Sequence, residues 1–419
     1  MSPSVPPPSA YTTTRKCRVC GCPDLDALYS LGDLYVSNFV EKQNQGGIKA
    51  PLEMVMCTRC SLVQLRHTAP QELLYSGFYW YRSGVTDTMK QALRNITESV
   101  EQRIALKTGD VVLDIGSNDG TMLRTYATPG LITVGVEPAS NLADEGRRGL
   151  TYFINDFWTE DAYRKTVPRK AKVITAIGMF YDMEDPNQFI RDAALAMEED
   201  GMFVAQLMCL KNMLDSNDVG NICHEHLEYY SLAALEYLFE RNGLTLIDIE
   251  FNLVNGGSYR VYAGLKDGHP PVVQGAAERL AHFRAQERDM TSKKVHMDFF
   301  ARIEENKRQC VDFIRAQKAK GKRIWVYGAS TKGNTILQYY GLDHSLIEAA
   351  SERSPEKWGK FTVGTGIPIV SEEEARKAKP DYFLVLPYAF FEEFYKREEA
   401  WRKGGGQFIL PVPQFRIVP

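Results

Sequence analysis

The chain has 419 residues, of which 44% are apolar and 25% charged, and its 50 Lys plus Arg against 53 Asp plus Glu leave a formal net charge of −3. At ~150 residues per domain this length means two or three domains, and the apolar share is enough to give each a core, which excludes a wholly disordered chain. The near-balance of charge offers no global attraction to nucleic acid or to an anionic membrane, and no run approaches the ~18 apolar residues of a spanning helix, so neither partner is expected and a cytoplasmic enzyme or binding protein is the default.

Residues 1–14 are rich in Pro, Ser and Thr, carry no apolar signal segment, and read as a disordered tail. Directly after it come Cys17-x-x-Cys20 and, after 36 intervening residues, Cys57-x-x-Cys60. Two such knuckles supply four thiolates, the donor set of a closed tetrahedral zinc site with no position left for water. A redox or disulfide role is the alternative, and the lack of a secretion signal weighs against it. The metal is therefore expected to be Zn2+ in a structural role, with Cys22 a bystander.

The run Leu74-Tyr75-Ser76-Gly77-Phe78-Tyr79-Trp80-Tyr81-Arg82-Ser83-Gly84 sets aromatics and an Arg beside flexible Gly. It suits either an apolar seam between domains or a lid offering Tyr hydroxyls and a guanidinium to a polar substrate. From Thr86 to Lys107, Met89, Leu93, Ile96, Val100 and Ile104 recur every three to four residues, predicting a helix with one buried face.

The segment from Asp110 to Leu123 then reads as a strand, a turn Asp114-x-Gly116-x-x-x-Gly120 and a helix start, with a second strand over 131–136 ending on Glu137, 21 residues after Gly116. An acid at that distance can accept from the ribose hydroxyls of a nucleotide lying across the first turn. The turn lacks the G-x-G-x-x-G pattern that a pyrophosphate demands. It resembles the Gly-rich turn of class I S-adenosylmethionine-dependent methyltransferases. That resemblance implies cofactor contacts from Asp114, Gly116, Asn118, Gly120 and Glu137, from Asn155 and Asp156 on the adenine side, and from Met179 after the fourth strand.

Residues 201–207 predict a further strand, and the loop after it carries Asn221-Ile222-Cys223-His224-Glu225-His226-Leu227-Glu228-Tyr229-Tyr230 before Ser231 caps a helix over 232–241 that Asn242-Gly243 stops. Two of the seven His and two carboxylates thus meet on a loop at the carboxyl end of a strand, where open α/β sheets bind ligands. A general base, a metal site or a hydrogen-bonded structural network would each use these residue types.

Asn255-Gly256-Gly257-Ser258 leads into another strand, helical periodicity runs from about 276 to 318, and Arg323 to Thr335 repeats the strand, Gly turn and helix start, with Glu352 lying 24 residues after Gly328. Two Rossmann-like halves are implied. Ser330, Thr331 and Lys332 can donate to a diphosphate, although the full P-loop pattern that would support ATP hydrolysis is missing. On its residues alone this half could equally bind NAD.

Taken in order, CxxC…CxxC, the aromatic-Arg-Ser run, DIGSNDG and CHEHLEYYS resemble the zinc-containing nucleotide-sugar C-methyltransferases of deoxysugar biosynthesis, over nearly the whole chain after the tail. The resemblance implies an α/β fold made of a small N-terminal four-cysteine zinc module followed by two Rossmann-like doubly wound domains, divided here at 15–75, 76–275 and 276–419. It implies transfer of the S-adenosylmethionine methyl group to a carbon beside the ketone, C-3 by expectation, of a nucleoside-diphosphate 4-keto-6-deoxysugar, typically thymidine-linked. The base would be His226, with Glu225 beside it and Tyr79 and Tyr81 closing the pocket. Arg82, His224, Ser258, Ser330, Thr331, Lys332, Asn334, Glu352 and Lys357 would hold the sugar nucleotide, and the chain would act as a monomer or homodimer.

Two departures, Cys223 where some members have Tyr and Tyr181 where some sugar C-3 methyltransferases have His, bear on which sugar and which carbon react. Direct O- or N-methylation is the rival enzyme reading. An RNA-binding zinc protein is the rival of another class, and the absence of a Lys/Arg-rich stripe weighs against it.

Overall fold

The computed structural model describes residues 11–70, 74, 75 and 79–419. The expected disordered tail lies outside the described residues as far as residue 10, and beyond that it is corrected. Thr12–Thr13 form a short strand against His67–Thr68, and the Tyr11 ring meets the His67 ring edge-on at 5.1 Å.

Two antiparallel strands, Leu25–Tyr35 and Lys49–Cys57, form the body of the N-terminal module, with Val63–Leu65 added along the second. Alternation drives the pairing: Ala50, Leu52, Met54 and Met56 all turn inward from the Lys49–Cys57 strand. The fourth strand of this sheet is Glu228–Tyr229, which comes from the candidate catalytic loop more than 150 residues away and pairs antiparallel with Val63–Leu65.

The central sheet has seven strands in the spatial order Leu244–Asn252, Ser258–Leu265, Met197–Met208, Ala171–Ile177, Val111–Ile115, Ile132–Val136, Tyr152–Ile154. The last five run parallel, and Ser258–Leu265 and Leu244–Asn252 close the other edge antiparallel. The five residues Val111–Ile115 are buried throughout, as a parallel strand covered on both faces requires. The helix predicted over 86–107 spans Asp87–Arg103, and the Thr86 hydroxyl accepts from the Met89 amide to cap it. The helix expected after Gly120 shrinks to a single turn, Leu123–Thr125, because Pro129-Gly130 leaves too little chain before the next strand.

The C-terminal unit repeats the parallel pattern in the order Ile369–Ser371, Ala350–Glu352, Ile324–Tyr327, Tyr382–Val385, Gln407–Leu410, with Arg416–Val418 antiparallel at its edge. The helical stretch predicted over 276–318 is broken into Ala276–Gln286, a short turn at Arg288–Thr291 and Lys293–Ala319. One continuous buried apolar cluster runs from Leu52 and Met54 through Ile115 and Ala205 to Phe299 and Ile336, so the three units share a core. The carboxyl ends of the central parallel strands open toward the other two units.

Candidate active site

The four cysteines meet as their spacing predicts. Cys17 Sγ lies 3.4 Å from Cys60 Sγ and Cys20 Sγ lies 3.3 Å from Cys57 Sγ, and all four sulfurs fall within 4.8 Å of one another in a buried cluster. Each knuckle turns through a left-handed residue, Gly21 at φ 71° and Ser61 at φ 58°, whose amide returns to the Cys17 and Cys57 carbonyls respectively. A tetrahedron with Zn–S of ~2.3 Å puts sulfurs ~3.8 Å apart, so the donor set and its spacing suit zinc. Cys22 points elsewhere, toward Asp24 and Thr58.

A cavity of about 390 Å3 opens at the carboxyl ends of the central strands. Its floor is the turn from Asp114 to Asn118. Gly116 takes φ 72°, and a Cβ there would stand 2.8 Å from Met179 Cγ, so glycine is needed both for the backbone conformation and for Met179 to pack on the turn. Asp114 is buried and accepts 2.7 Å from Thr175 Oγ1, and burial pushes its carboxyl up to about 7. Glu137 accepts from the Asn118 and Ala139 amides at 2.9 and 2.8 Å, which fixes its carboxylate on the cavity wall. Asn118 Oδ1 accepts from the Ser83 amide and its Nδ2 donates to the Tyr81 carbonyl, tying the aromatic run to the turn.

Asn155 and Asp156 do not line this cavity. Asn155 Nδ2 donates 2.7 Å to the Glu137 carbonyl and Asp156 Oδ1 accepts from the Phe157 amide, while Phe157 and Trp158 form the wall instead. Gly120 lies beneath the turn, where a Cβ would collide with the Gly146 carbonyl.

The cavity wall also carries Tyr75, Tyr79, Tyr81, Tyr181, Asp182 and Lys332. Of the aromatic run, Ser76 to Phe78 lie outside the described residues. Tyr79 is locked through its main chain by reciprocal bonds to Asn141 of 3.0 and 3.1 Å. Burial holds the Tyr79 and Tyr181 phenols and the Asp182 carboxyl well above their ordinary values. Lys332 arrives from the helix Thr331–Tyr340 of the C-terminal unit and donates 2.5 Å to Asn221 Oδ1. It is the one cation among the described residues lining the cavity.

His226 sits directly behind this wall, its ring meeting the Tyr181 ring edge-on at 4.6 Å. Its Nδ1 lies 2.8 Å from the Asn221 carbonyl, and burial, followed by the charge of Lys332, pushes the imidazole down to about 3. The ligand atoms of Cys223, Glu225 and His226 lie within 4.8 Å of one another. Burial raises Glu225 to about 7 against the opposing pull of Lys332, and burial holds the Cys223 thiol up in its neutral form. Asn221 organises the loop. Its carbonyl faces His226 Nδ1 and accepts from the Tyr229 hydroxyl, and its amide donates 2.6 Å to Asp218, whose carboxylate also accepts from Tyr388 of the C-terminal unit.

Two expected substrate contacts are corrected. His224 turns away into the N-terminal module, where its Nε2 donates 2.9 Å to the Ala50 carbonyl, and burial lowers it to about 4. Arg82 is spent on Glu145 and Glu356 at 2.9 and 3.2 Å, bridging the central and C-terminal units outside the cavity.

Ser258 does line the cavity, its hydroxyl donating to the Val254 carbonyl. Ser330 caps the helix Thr331–Tyr340 by accepting from the Gly333 amide, and the Thr331 carbonyl accepts from Ser37 Oγ. Asn334 Nδ2 donates to the Asn38 carbonyl. Glu352 accepts from the Ala329 amide, and Lys357 Nζ donates to the Ala329 carbonyl. These residues cluster around the second Gly turn, apart from the cavity.

Phe157, at the end of the segment expected on the adenine side, does line the cavity, whereas Gln206 and Asn221 were not expected as site residues. For Gln206 the signal was a polar side chain in an otherwise apolar buried strand. Its Oε1 is occupied by Arg260 and Asn252 donors.

Three family profiles match the chain: a zinc binding domain over residues 17–75, a methyltransferase domain over 88–249 and a C-methyltransferase C-terminal domain over 253–413. C-methyltransferase NovU of Streptomyces niveus is 32% identical over 408 residues, 96% of each chain. Among solved structures, the mitomycin 7-O-methyltransferase MmcR is 18% identical with a TM-score of 0.33, over 42% of this chain and 54% of that one. Magnesium protoporphyrin IX methyltransferase of Synechocystis, with S-adenosylmethionine bound, is 12% identical with a TM-score of 0.32, over 42% and 78%.

Proposed function

The chain belongs to the zinc-containing, S-adenosylmethionine-dependent C-methyltransferase family, and on that premise we propose that it methylates the carbon beside the ketone of a nucleoside-diphosphate 4-keto-6-deoxysugar, at C-3 and with thymidine as the nucleoside. The observation that carries this reading is one shared cavity lined by the Asp114–Asn118 turn, Glu137, Tyr79, Tyr181 and Lys332, with the His226 ring against that of Tyr181. A cofactor laid across the turn and a sugar entering from the C-terminal unit would meet there.

When bound, the cofactor supplies an electrophilic methyl group on a sulfonium. The chain's residues do the rest. Carbon attack needs a carbanion-like nucleophile, and the ketone provides one by taking the electrons of the broken C–H bond into its oxygen. His226 removes that proton through Nε2, since its Nδ1 hydrogen is committed to Asn221. Glu225, with its carboxyl poised at about 7, supports the charge that His226 acquires. Lys332 faces the pair as the counterion for negative charge developing on the sugar oxygen. The carbanion so formed, held in the same cavity as the Asp114–Asn118 turn, would be the nucleophile for that methyl group.

In this reading Tyr181 gates the base, because its ring stands between His226 and the cavity and must move for the sugar carbon to approach. Ser330, Thr331, Asn334, Glu352 and Lys357 around the second Gly turn would hold the nucleotide, at the amino end of a ten-residue helix.

Isothermal titration with S-adenosylhomocysteine, then with thymidine diphosphate added to the saturated complex, tests the two-site arrangement. Binding of both at separate sites is expected. Cofactor binding without binding of thymidine, uridine or guanosine diphosphate would leave a methyltransferase and overturn the sugar-nucleotide acceptor.

A further inference from the structure

The candidate catalytic loop is held by two units at once. One end leaves the central sheet after Met208, but its far end is completed by the zinc module: Glu228 pairs with Gln64, Tyr229 pairs with Val63, and the Leu65 amide donates 2.9 Å to the Leu227 carbonyl. His224 adds a further bond to Ala50 in the same sheet. The position of His226, between these anchors, is therefore set by the module as much as by the methyltransferase fold.

At the centre of this junction is a buried ion pair. Arg18 lies inside the first knuckle, between Cys17 and Cys20, and its Nε stands 3.5 Å from Glu228 Oε1, with the two side chains 4% and 0% exposed. Its remaining donors are also used: Nη1 goes to the Leu65 carbonyl at 2.6 Å, and Nη2 to the Thr14 and Thr68 hydroxyls. Its main-chain amide goes to Gln64 Oε1 at 2.9 Å. The guanidinium thus has one place to be, beside the Glu228 carboxyl two residues after His226. A buried pair of this kind need not add stability, but removing one partner strands the other charge, so its better-attested use is to specify one arrangement.

We infer that Arg18 is a positioning residue for the reaction, transmitting the geometry of the zinc knuckle through Glu228 to His226. This rests on His226 being the base. A shift of about 1 Å at the base is enough to cost roughly 100-fold in rate while leaving remote binding contacts untouched.

The test compares Arg18→Met, Glu228→Gln and the double variant as full-length holoproteins. The probe is thymidine diphosphate 4-keto-6-deoxyglucose, and the readouts are bound zinc, S-adenosylhomocysteine affinity, kcat, KM and deuterium uptake at the carbons beside the ketone with S-adenosylhomocysteine bound. Arg18→Met is expected to keep its zinc and its affinity within about twofold while kcat and deuterium uptake fall about 10- to 100-fold and KM stays within about threefold. The double variant, which lacks both halves of the link, should lose no more than the single variant, as two residues acting through one contact require.

Wild-type uptake and turnover in zinc-loaded Arg18→Met would overturn the inference, as would a double variant whose loss is the product of the two single losses, or a loss in which zinc, affinity and KM fail together. Should Arg18→Met not fold, Glu228→Gln carries the same expectation and the same contrary result. His226→Ala separates the two layers: if it still takes up deuterium, the base assignment is wrong, whereas an inert His226→Ala beside a fully active Arg18→Met removes only the coupling.

Discussion

The Nδ1 atom of His226 lies 2.8 Å from the main-chain oxygen of Asn221. A carbonyl only accepts, so Nδ1 carries the ring hydrogen and Nε2 keeps its lone pair. Replacement of His226 by Ala should lower kcat by about 10²- to 10⁴-fold, the usual weight of a general base. S-adenosylhomocysteine affinity, read by titration calorimetry, should change less than twofold. Turnover within a few-fold of the parent would show that the base lies elsewhere.

Glu225 and Lys332 set the pH response. Burial raises the Glu225 carboxyl to about 7 and Lys332 opposes that rise, so kcat/KM should climb with pH through about 7 as the carboxylate forms. Glu225→Gln should flatten this limb and lower the plateau about 10- to 100-fold. Lys332→Gln removes the cation that favours the carboxylate, so its limb should move to higher pH. An unmoved limb in Lys332→Gln would dissociate the pair.

Gly116 and Gly243 both adopt positive φ, 72° and 85°, but a Cβ on Gly116 would meet Met179 at 2.8 Å and one on Gly243 meets nothing within 4 Å. Each Gly→Ala change should cost about 1–2 kcal/mol from backbone conformation alone, measured by denaturant unfolding. Only Gly116→Ala should also weaken S-adenosylhomocysteine binding, because its methyl group would displace Met179, which lines the cavity.

His224 predicts a stability effect with a defined sign. Its imidazole is lowered to about 4 from an ordinary 6.5, so below pH 6.5 the unfolded chain takes up a proton that the folded chain refuses. The stability of the parent relative to His224→Gln should be constant above pH 6.5 and fall by about 1.4 kcal/mol per pH unit from there down to about pH 4. Parallel pH curves for the two proteins would show that the ring is not buried as described.

The zinc site predicts one equivalent of metal per chain by elemental analysis. Cys57→Ser should remove it and lower the midpoint of thermal unfolding, since a closed site of four thiolates contributes folding energy directly. Full metal content in Cys57→Ser would refute the ligand set.

What could be read from the chain was whatever depends on short spacing. Two thiols separated by two residues must share a turn, which is why both knuckles were legible, and a buried strand followed by Gly116 and then by an acid at 137 is likewise a local pattern. Ser231 and Asn242 bound their helix as expected because capping acts within one turn.

Contacts between distant segments were not legible. Nothing in the spacing of His224, Glu225 and His226 says which ring faces the cavity. That was decided when Glu228 and Tyr229 joined the zinc module's sheet, turning His224 toward Ala50. Arg82 looked like a substrate contact because its partners Glu145 and Glu356 are 63 and 274 residues away. Lys332 meets Asn221 across 111 residues, a contact that exists only because the C-terminal unit packs against the catalytic loop. Local chemistry is written in consecutive residues, whereas the partner of a buried charge is chosen by how the units pack. The sequence by itself therefore determined the knuckles, the strand-turn-acid pattern and the reaction class they imply, and tertiary packing alone decided which charged and aromatic side chains share one cavity.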